Sequence, residues 1–276
     1  MRWLTLLFSA LASVVFMVLA TPAHAQFMIV SSTRSLNSSE GFAGLPGLPA
    51  DISNNDSANV PGTYDNSETS ADSFSIPISN GDPPYVDWNA NGTASQDSFA
   101  SVEGLSGSGS ASGLAYWMGD APPSAYSIAA YATATASYDV TFEVPVIESI
   151  TLGGSIQVSE GSIGPGFDGS GDETALTLSG GGSPLYGETV GFGYPYGPLP
   201  ENETFSFATT LSPGVSYQLS VSSTADEGLG YDGSYGTIYP YTASFNFSLT
   251  AVPEPTSIAI TLAAAGLLLR RQRPTN

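Results

Sequence analysis

Val215-Ser216-Tyr217-Gln218-Leu219-Ser220-Val221 and, further on, Tyr241-Thr242-Ala243-Ser244-Phe245-Asn246-Phe247-Ser248-Leu249 alternate apolar and polar side chains without interruption. Period two sends successive side chains to opposite faces of a strand. Val215, Tyr217, Leu219 and Val221 therefore share one face, and Tyr241, Ala243, Phe245, Phe247 and Leu249 answer them. Ser212-Pro213-Gly214 supplies a tight turn ahead of the first segment. The two read as a pair of half-buried strands, and a slip of one residue would expose the whole apolar set.

The same period extends backwards. Tyr126 to Val144 reads as long strand material, with Val140, Phe142 and Val144 alternating against Thr141 and Glu143. Ile156 and Val158 resume the pattern after a break expected at Gly153-Gly154, followed by Leu176 with Leu178 and by Phe205 with Phe207. Helical spacing is missing from every segment before the tail, and 31 Gly and 20 Pro punctuate the chain at strand-length intervals. The expected fold class is all-β, a β-sandwich or jelly-roll-like domain over residues 98–251. Residues 26–97 are rich in Ser, Asn, Gly and Pro and are expected to be partly irregular, as a flexible spacer or as a loop-rich set of strands. Phe74, Ile76 and Ile78 suggest one short strand there, which Pro77 pushes toward a sheet edge.

The N-terminus reads as a leader. Arg2 gives a positive start, Trp3 to Ala20 is apolar with few interruptions, and Thr21-Pro22-Ala23-His24-Ala25 carries the small residues Ala23 and Ala25 of an A-x-A cleavage pattern. Cleavage would leave Gln26 first. An uncleaved membrane anchor is the alternative. Export is the expectation, through the cell's export machinery.

Removing residues 1–25 removes the only histidine from a chain with no cysteine or lysine. From Gln26 to Val252 there are 24 acidic side chains and one basic one, Arg34. Such a surface repels nucleic acid and anionic headgroups and favours cations. Without cysteine, the fold must rest on its core or on bound ions.

The last residues carry three features in order: Pro253-Glu254-Pro255 followed by Thr256-Ser257, an apolar stretch from Ile258 to Leu269, and a basic stop of Arg270, Arg271 and Arg273. Twelve residues make a helix of about 18 Å, short of the ~30 Å hydrocarbon core. The flanking arginines would stay cytoplasmic and leave the preceding domain outside. Residues 252–276 resemble the PEP-CTERM sorting signal, which joins a Pro-Glu-Pro motif, a short hydrophobic helix and a basic end. The resemblance covers about a tenth of the chain and implies processing by an exosortase, an integral-membrane, cysteine-protease-like enzyme of Gram-negative bacteria that make exopolysaccharide. It implies a cell-surface or extracellular-matrix location, with transient anchoring in the inner membrane through helix 258–269. A simple tail anchor would give the same surface location.

A mature chain lacking His, Cys and Lys excludes a Ser-His-Asp triad, a Cys-His pair, a lysine Schiff base and the usual zinc site. The expectation is a non-catalytic protein. What chemistry remains is that of paired carboxylates, as in a carbohydrate-active enzyme, and Glu201 with Glu203 have a spacing compatible with it but also with two solvated side chains. No cofactor is called for. Calcium is the ion the oxygen-rich segments would suit, with Asp168, Asp172 and Glu173 as weak candidates and Asp226, Glu227 and Asp232 as a looser group. Neither matches an EF-hand loop, and solvated acidic turns account for the same residues. Tyr194, Tyr196, Tyr231, Tyr235, Tyr239, Trp88 and Trp117 lie in or near Gly/Pro-rich stretches, where exposed rings would suit a polysaccharide partner and buried ones would fill the core.

Overall fold

A computed structural model describes residues 26–43, 48–77, 85–118, 129–159, 172–193, 197–198, 202–230 and 241–252. Residues 1–25 and 253–276, and with them Ala23 and Ala25 of the expected cleavage pattern, Pro253-Glu254-Pro255 and the arginines Arg270, Arg271 and Arg273, lie outside the described residues.

The described chain is strand and turn, with no helix. Strands β1 (Met28–Ala43), β2 (Ile52–Ala58), β6 (Ala129–Glu143), β8 (Glu173–Gly180), β9 (Ser183–Gly193), β10 (Gly197–Pro198) and β12 (Tyr217–Gly230) form a seven-stranded sheet in the order β10-β9-β8-β12-β6-β1-β2. Strands β3 (Gly62–Pro77), β4 (Tyr85–Ser101), β5 (Gly104–Met118), β7 (Glu148–Ser159), β11 (Asn202–Leu211) and β13 (Tyr241–Ala251) form a six-stranded sheet in the order β11-β7-β13-β5-β4-β3. Every pairing is antiparallel, and the two sheets close on one core. The all-β sandwich expected from the period-two pattern is what the chain forms.

Three expectations need correction. Residues 26–97 are not irregular in their described part: β1, β2, β3 and most of β4 belong to the same sandwich, and the boundary at 97/98 falls inside β4. Alternation was hidden there because many inward positions carry small or polar side chains, such as Ser32, Arg34, Ser38, Glu40, Ser70, Gln96 and Ser98, all buried. Pro77 does end an edge strand, β3. The two decisive segments, β12 and β13, are not hydrogen-bonded to each other: β12 pairs with β6 and β8, β13 with β5 and β7. They lie in opposite sheets and bury Leu219, Val221, Phe245 and Leu249 in one shared core. Alternation identifies the buried face and says nothing of the neighbour. Gly153-Gly154 is no break either, since β7 runs through it. A Cβ on Gly154 would collide with the Asn246 carbonyl of β13 and stand 2.8 Å from the Phe247 Cα. Glycine permits that close approach.

The core is graded from end to end. Where β6 meets its short turn to β7, Tyr138, Val140 and Phe142 point inward; toward its other end the inward residues are Ala136, Ala134, Ala132 and Ala130. Edge-to-face contacts fill the wide end, Phe27 against Phe142 at 5.1 Å and Tyr138 against Phe247 at 4.9 Å, the latter bridging the sheets. Tyr217 accepts a hydrogen bond from the Ser212 N–H at 2.7 Å and donates to the Ser212 carbonyl at 3.3 Å, the arrangement of a tyrosine corner. At the narrow end the sheets nearly touch. A Cβ on Gly92 of β4 would lie 2.9 Å from the Thr133 carbonyl and 3.1 Å from the Ser39 carbonyl of the opposite sheet.

Candidate functional site

Antiparallel order gives the sandwich two unlike ends. The short turns β2–β3, β4–β5, β6–β7, β8–β9 and β11–β12 lie at one, the turn end. The strand ends that flank the longer connections lie at the other, the loop end, where Ala43, Ala129 and Gly230 come into register. Large exposed apolar side chains gather at the turn end: Met28, Val30, Val60, Phe99, Val102, Val146, Ile147, Leu185 and Val252. The described residues also end there, at Val252, whose N–H donates to the Ser149 carbonyl at 2.7 Å.

Carboxylates gather at the loop end. Asp172 is buried, and its Oδ1 accepts the Asp226 N–H at 2.9 Å; Asp226 in turn accepts from the Thr133 hydroxyl at 2.8 Å. The fold therefore joins the two acidic segments singled out in the sequence. It does not make a calcium cage of Asp172 and Glu173, because consecutive strand residues point to opposite faces and Glu173 is exposed while Asp172 is spent on a backbone bond. Asp168 and Asp232 lie outside the described residues, as does the side chain of Glu227.

Beside them stands a group the sequence reading missed. On β1 the inward positions run Arg34, Leu36, Ser38, Glu40 and Phe42, all buried. Glu40 is 0% exposed and its carboxylate makes no well-formed hydrogen bond, the Ile52 backbone being the one group near enough to favour its charged form; the hydroxyls of Ser38 and of Ser70 on β3 are buried and unpartnered. Burial, then the nearby carboxylates of Asp72 and Asp51, push the Glu40 carboxyl up to about 7, with only the Ile52 backbone opposing. Asp51 accepts from the Tyr131 hydroxyl, and that bond, with burial and nearby acidic charge, pushes the phenol up to about 12. Following the alternation through Leu36 and Phe42 would have placed Ser38 and Glu40 inside.

A second feature is a shallow depression of about 590 Å³ on the six-stranded sheet, lined by Asp65, Ser67, Ser95, Asp97, Ser108, Ser110 and Ser244 among others. Asp65 and Asp97 are directly opposed across β3 and β4. Like charges so placed repel. Around them hydroxyls pair strand to strand, as Ser95 does with Ser110 at 2.8 Å.

The remaining candidates are scattered. Glu203 is half-buried in β11, opposite Ile156, while Glu201 lies outside the described residues, so the pair is not brought together. Trp88 is not an exposed ring: it is 0% exposed and belongs to the core, because its place in β4 is an inward one. Tyr194, Tyr196, Tyr231, Tyr235, Tyr239 and the Trp117 side chain lie outside the described residues. Among the described residues, no group of three or more acidic, His or Cys side chains has metal-ligating geometry, and no helix is long and apolar enough to cross a membrane.

No protein-family model and no curated protein matches the chain. Among solved structures it is similar to a GH31 alpha-xylosidase from Xanthomonas citri, with 9% identity over 77% of this chain and 28% of that one, at a TM-score of 0.19. It is also similar to the VP2 subviral particle of infectious bursal disease virus, with 10% identity over 85% of this chain and 68% of that one, again at 0.19. The chain thus spans little more than a quarter of the xylosidase, and neither likeness bears on what it does.

Proposed function

We propose that this chain is a non-catalytic exported protein of the cell surface or extracellular matrix, released from its membrane helix by an exosortase-type enzyme and associating with exopolysaccharide. The observation that carries the reading is the junction at Val252. The last strand, β13, ends at Ala251, Val252 is exposed, and the next residues are Pro253-Glu254-Pro255. Among the described residues both sheets are built from strands that end by Ala251, and two prolines fix φ and supply no N–H to extend a strand ladder. Cutting there would leave every described strand intact. The exit also lies at the turn end, whose apolar rim suits a surface held near a bilayer until release. The depression on the six-stranded sheet supports the polysaccharide half of the proposal, since rows of hydroxyls and carboxylates offer a sugar chain both donors and acceptors.

Mass spectrometry of the surface-released protein tests the reading. The expected C-terminus lies near Pro253-Glu254-Pro255, with no peptide from Ile258 to Asn276, and replacing the three motif residues by alanine leaves full-length protein in the inner membrane. A mature protein that keeps Arg270 to Arg273, together with an inert triple substitution, overturns it in favour of a permanent tail anchor.

A further inference from the structure

We propose that Ser38 and Glu40 of β1 with Ser70 and Asp72 of β3 form a binding site for one calcium ion, toward the loop end of the sandwich, where the two sheets pack closely. The four residues make two i, i+2 pairs, each on the inward face of its strand. Gly92 shows that the strands meet: the point a Cβ would take there lies 3.3 Å from the Ser70 Oγ and 3.1 Å from the carbonyl of Ser39, between Ser38 and Glu40. Asp72 is close enough to Glu40 to disfavour its ionisation.

Four side-chain oxygens here are buried without a well-formed hydrogen bond: Ser38 Oγ, Ser70 Oγ and both oxygens of Glu40, whose carboxylate has only the Ile52 backbone near it. Buried polar atoms are nearly always satisfied, and those left over point to a missing water or ion. Each orphan costs about 1–3 kcal/mol, more when charged. A hydrogen-bond donor would satisfy one or two of them. One hard cation satisfies oxygens from several directions at once and also cancels the repulsion between Glu40 and Asp72. The basic side chain nearest in sequence, Arg34, is engaged at the Val60 and Gly62 carbonyls. Two carboxylates and two hydroxyls on separate strands make an irregular all-oxygen set, which suits calcium better than magnesium with its demand for near-ideal octahedral geometry. Fewer than three carboxylates place the site in the weak range, where extracellular calcium is still abundant enough to fill it.

The test is equilibrium dialysis of radiolabelled calcium against the purified full chain at neutral pH, comparing wild type with Glu40→Gln and Asp72→Asn, and with thermal unfolding in parallel. The expected result is one calcium fewer per chain in each variant, together with loss of a calcium-specific rise of several degrees in Tm that neither magnesium nor sodium at matched ionic strength reproduces. Equal calcium stoichiometry in wild type and both variants overturns the proposal and leaves Glu40 a buried acid with no metal role. Should the carboxylate variants fail to fold, Ser70→Ala removes only a hydroxyl: binding at this site weakens several-fold if the proposal holds, and unchanged affinity overturns it.

Discussion

Arg34 is the only lysine or arginine between Arg2 and Arg270, and it is 0% exposed. Its Nη1 donates to the Gly62 carbonyl at 2.7 Å and its Nη2 to the Val60 carbonyl, so the guanidinium ties down the corner where the chain crosses from β2 to β3. The Tyr64 ring lies 5.7 Å from the guanidinium carbon, and the Tyr64 hydroxyl donates to Asp56 at 2.8 Å. Burial lowers the Arg34 pKa from its ordinary value, partly offset by Tyr138 and Tyr64, which is the mark of a charge that pays for its place. Arg34→Ala strips two carbonyls of charge-assisted donors, at about 1–3 kcal/mol each, and removes a cation–π contact of about 0.5–2 kcal/mol. A loss of about 4 kcal/mol is expected. Arg34→Met keeps the stem's packing and removes the cost of burying a charge, so it should lose only about half as much. Urea unfolding followed by tryptophan fluorescence reads both. With m near 2–3 kcal/mol/M, the alanine midpoint falls by about 1.5 M at unchanged slope. An alanine variant within about 1 kcal/mol of wild type would refute the view that this side chain holds the sandwich closed at the β2–β3 edge.

Neighbouring glycines in β7 should respond differently. Gly154→Ala drives a Cβ into the backbone of β13 and should cost about 1–3 kcal/mol in urea unfolding, whereas Gly153→Ala, whose Cβ would stand 3.6 Å from the Phe205 carbonyl, should be nearly neutral. Glu40 makes stability depend on pH with a definite sign: its folded value of about 7 lies above its ordinary 4.5, so the folded state binds the extra proton and stability falls as pH rises through that window. In chelator, Glu40→Gln should match wild type near pH 4.5 and exceed it above pH 7, by roughly 3 kcal/mol at most. An unfolding-midpoint difference that stays constant across that range defeats the assignment. The groups facing Glu40 in this window are Asp72, Asp51 and Tyr131.

The sequence alone determined the class of fold and, in the alternating segments around residues 140–144, 156–158, 176–178, 217–221 and 243–249, which side chains are inside. Val140, Phe142, Ile156, Val158, Leu176, Leu178, Leu219 and Phe247 all fall on the buried face their alternation assigns. That works because strand periodicity is a local property, written in every second residue. Pairing is not local. Nothing in β12 and β13 tells that they face each other across a core and do not share a ladder, since both arrangements bury the same side chains. The N-terminal strands were hidden for a related reason: their inward positions are often small or polar, as at Ser38, Glu40, Ser70, Gly92 and Gln96, and where the sheets pack almost backbone to backbone, as at Gly92, no large apolar side chain is there to give the hydrophobic signal. The loop-end site shows the same division. Glu40 and Asp72 are far apart in the chain and each reads as an ordinary surface acid; only the fold turns both inward, places them beside two buried serines and leaves four oxygens in need of a partner.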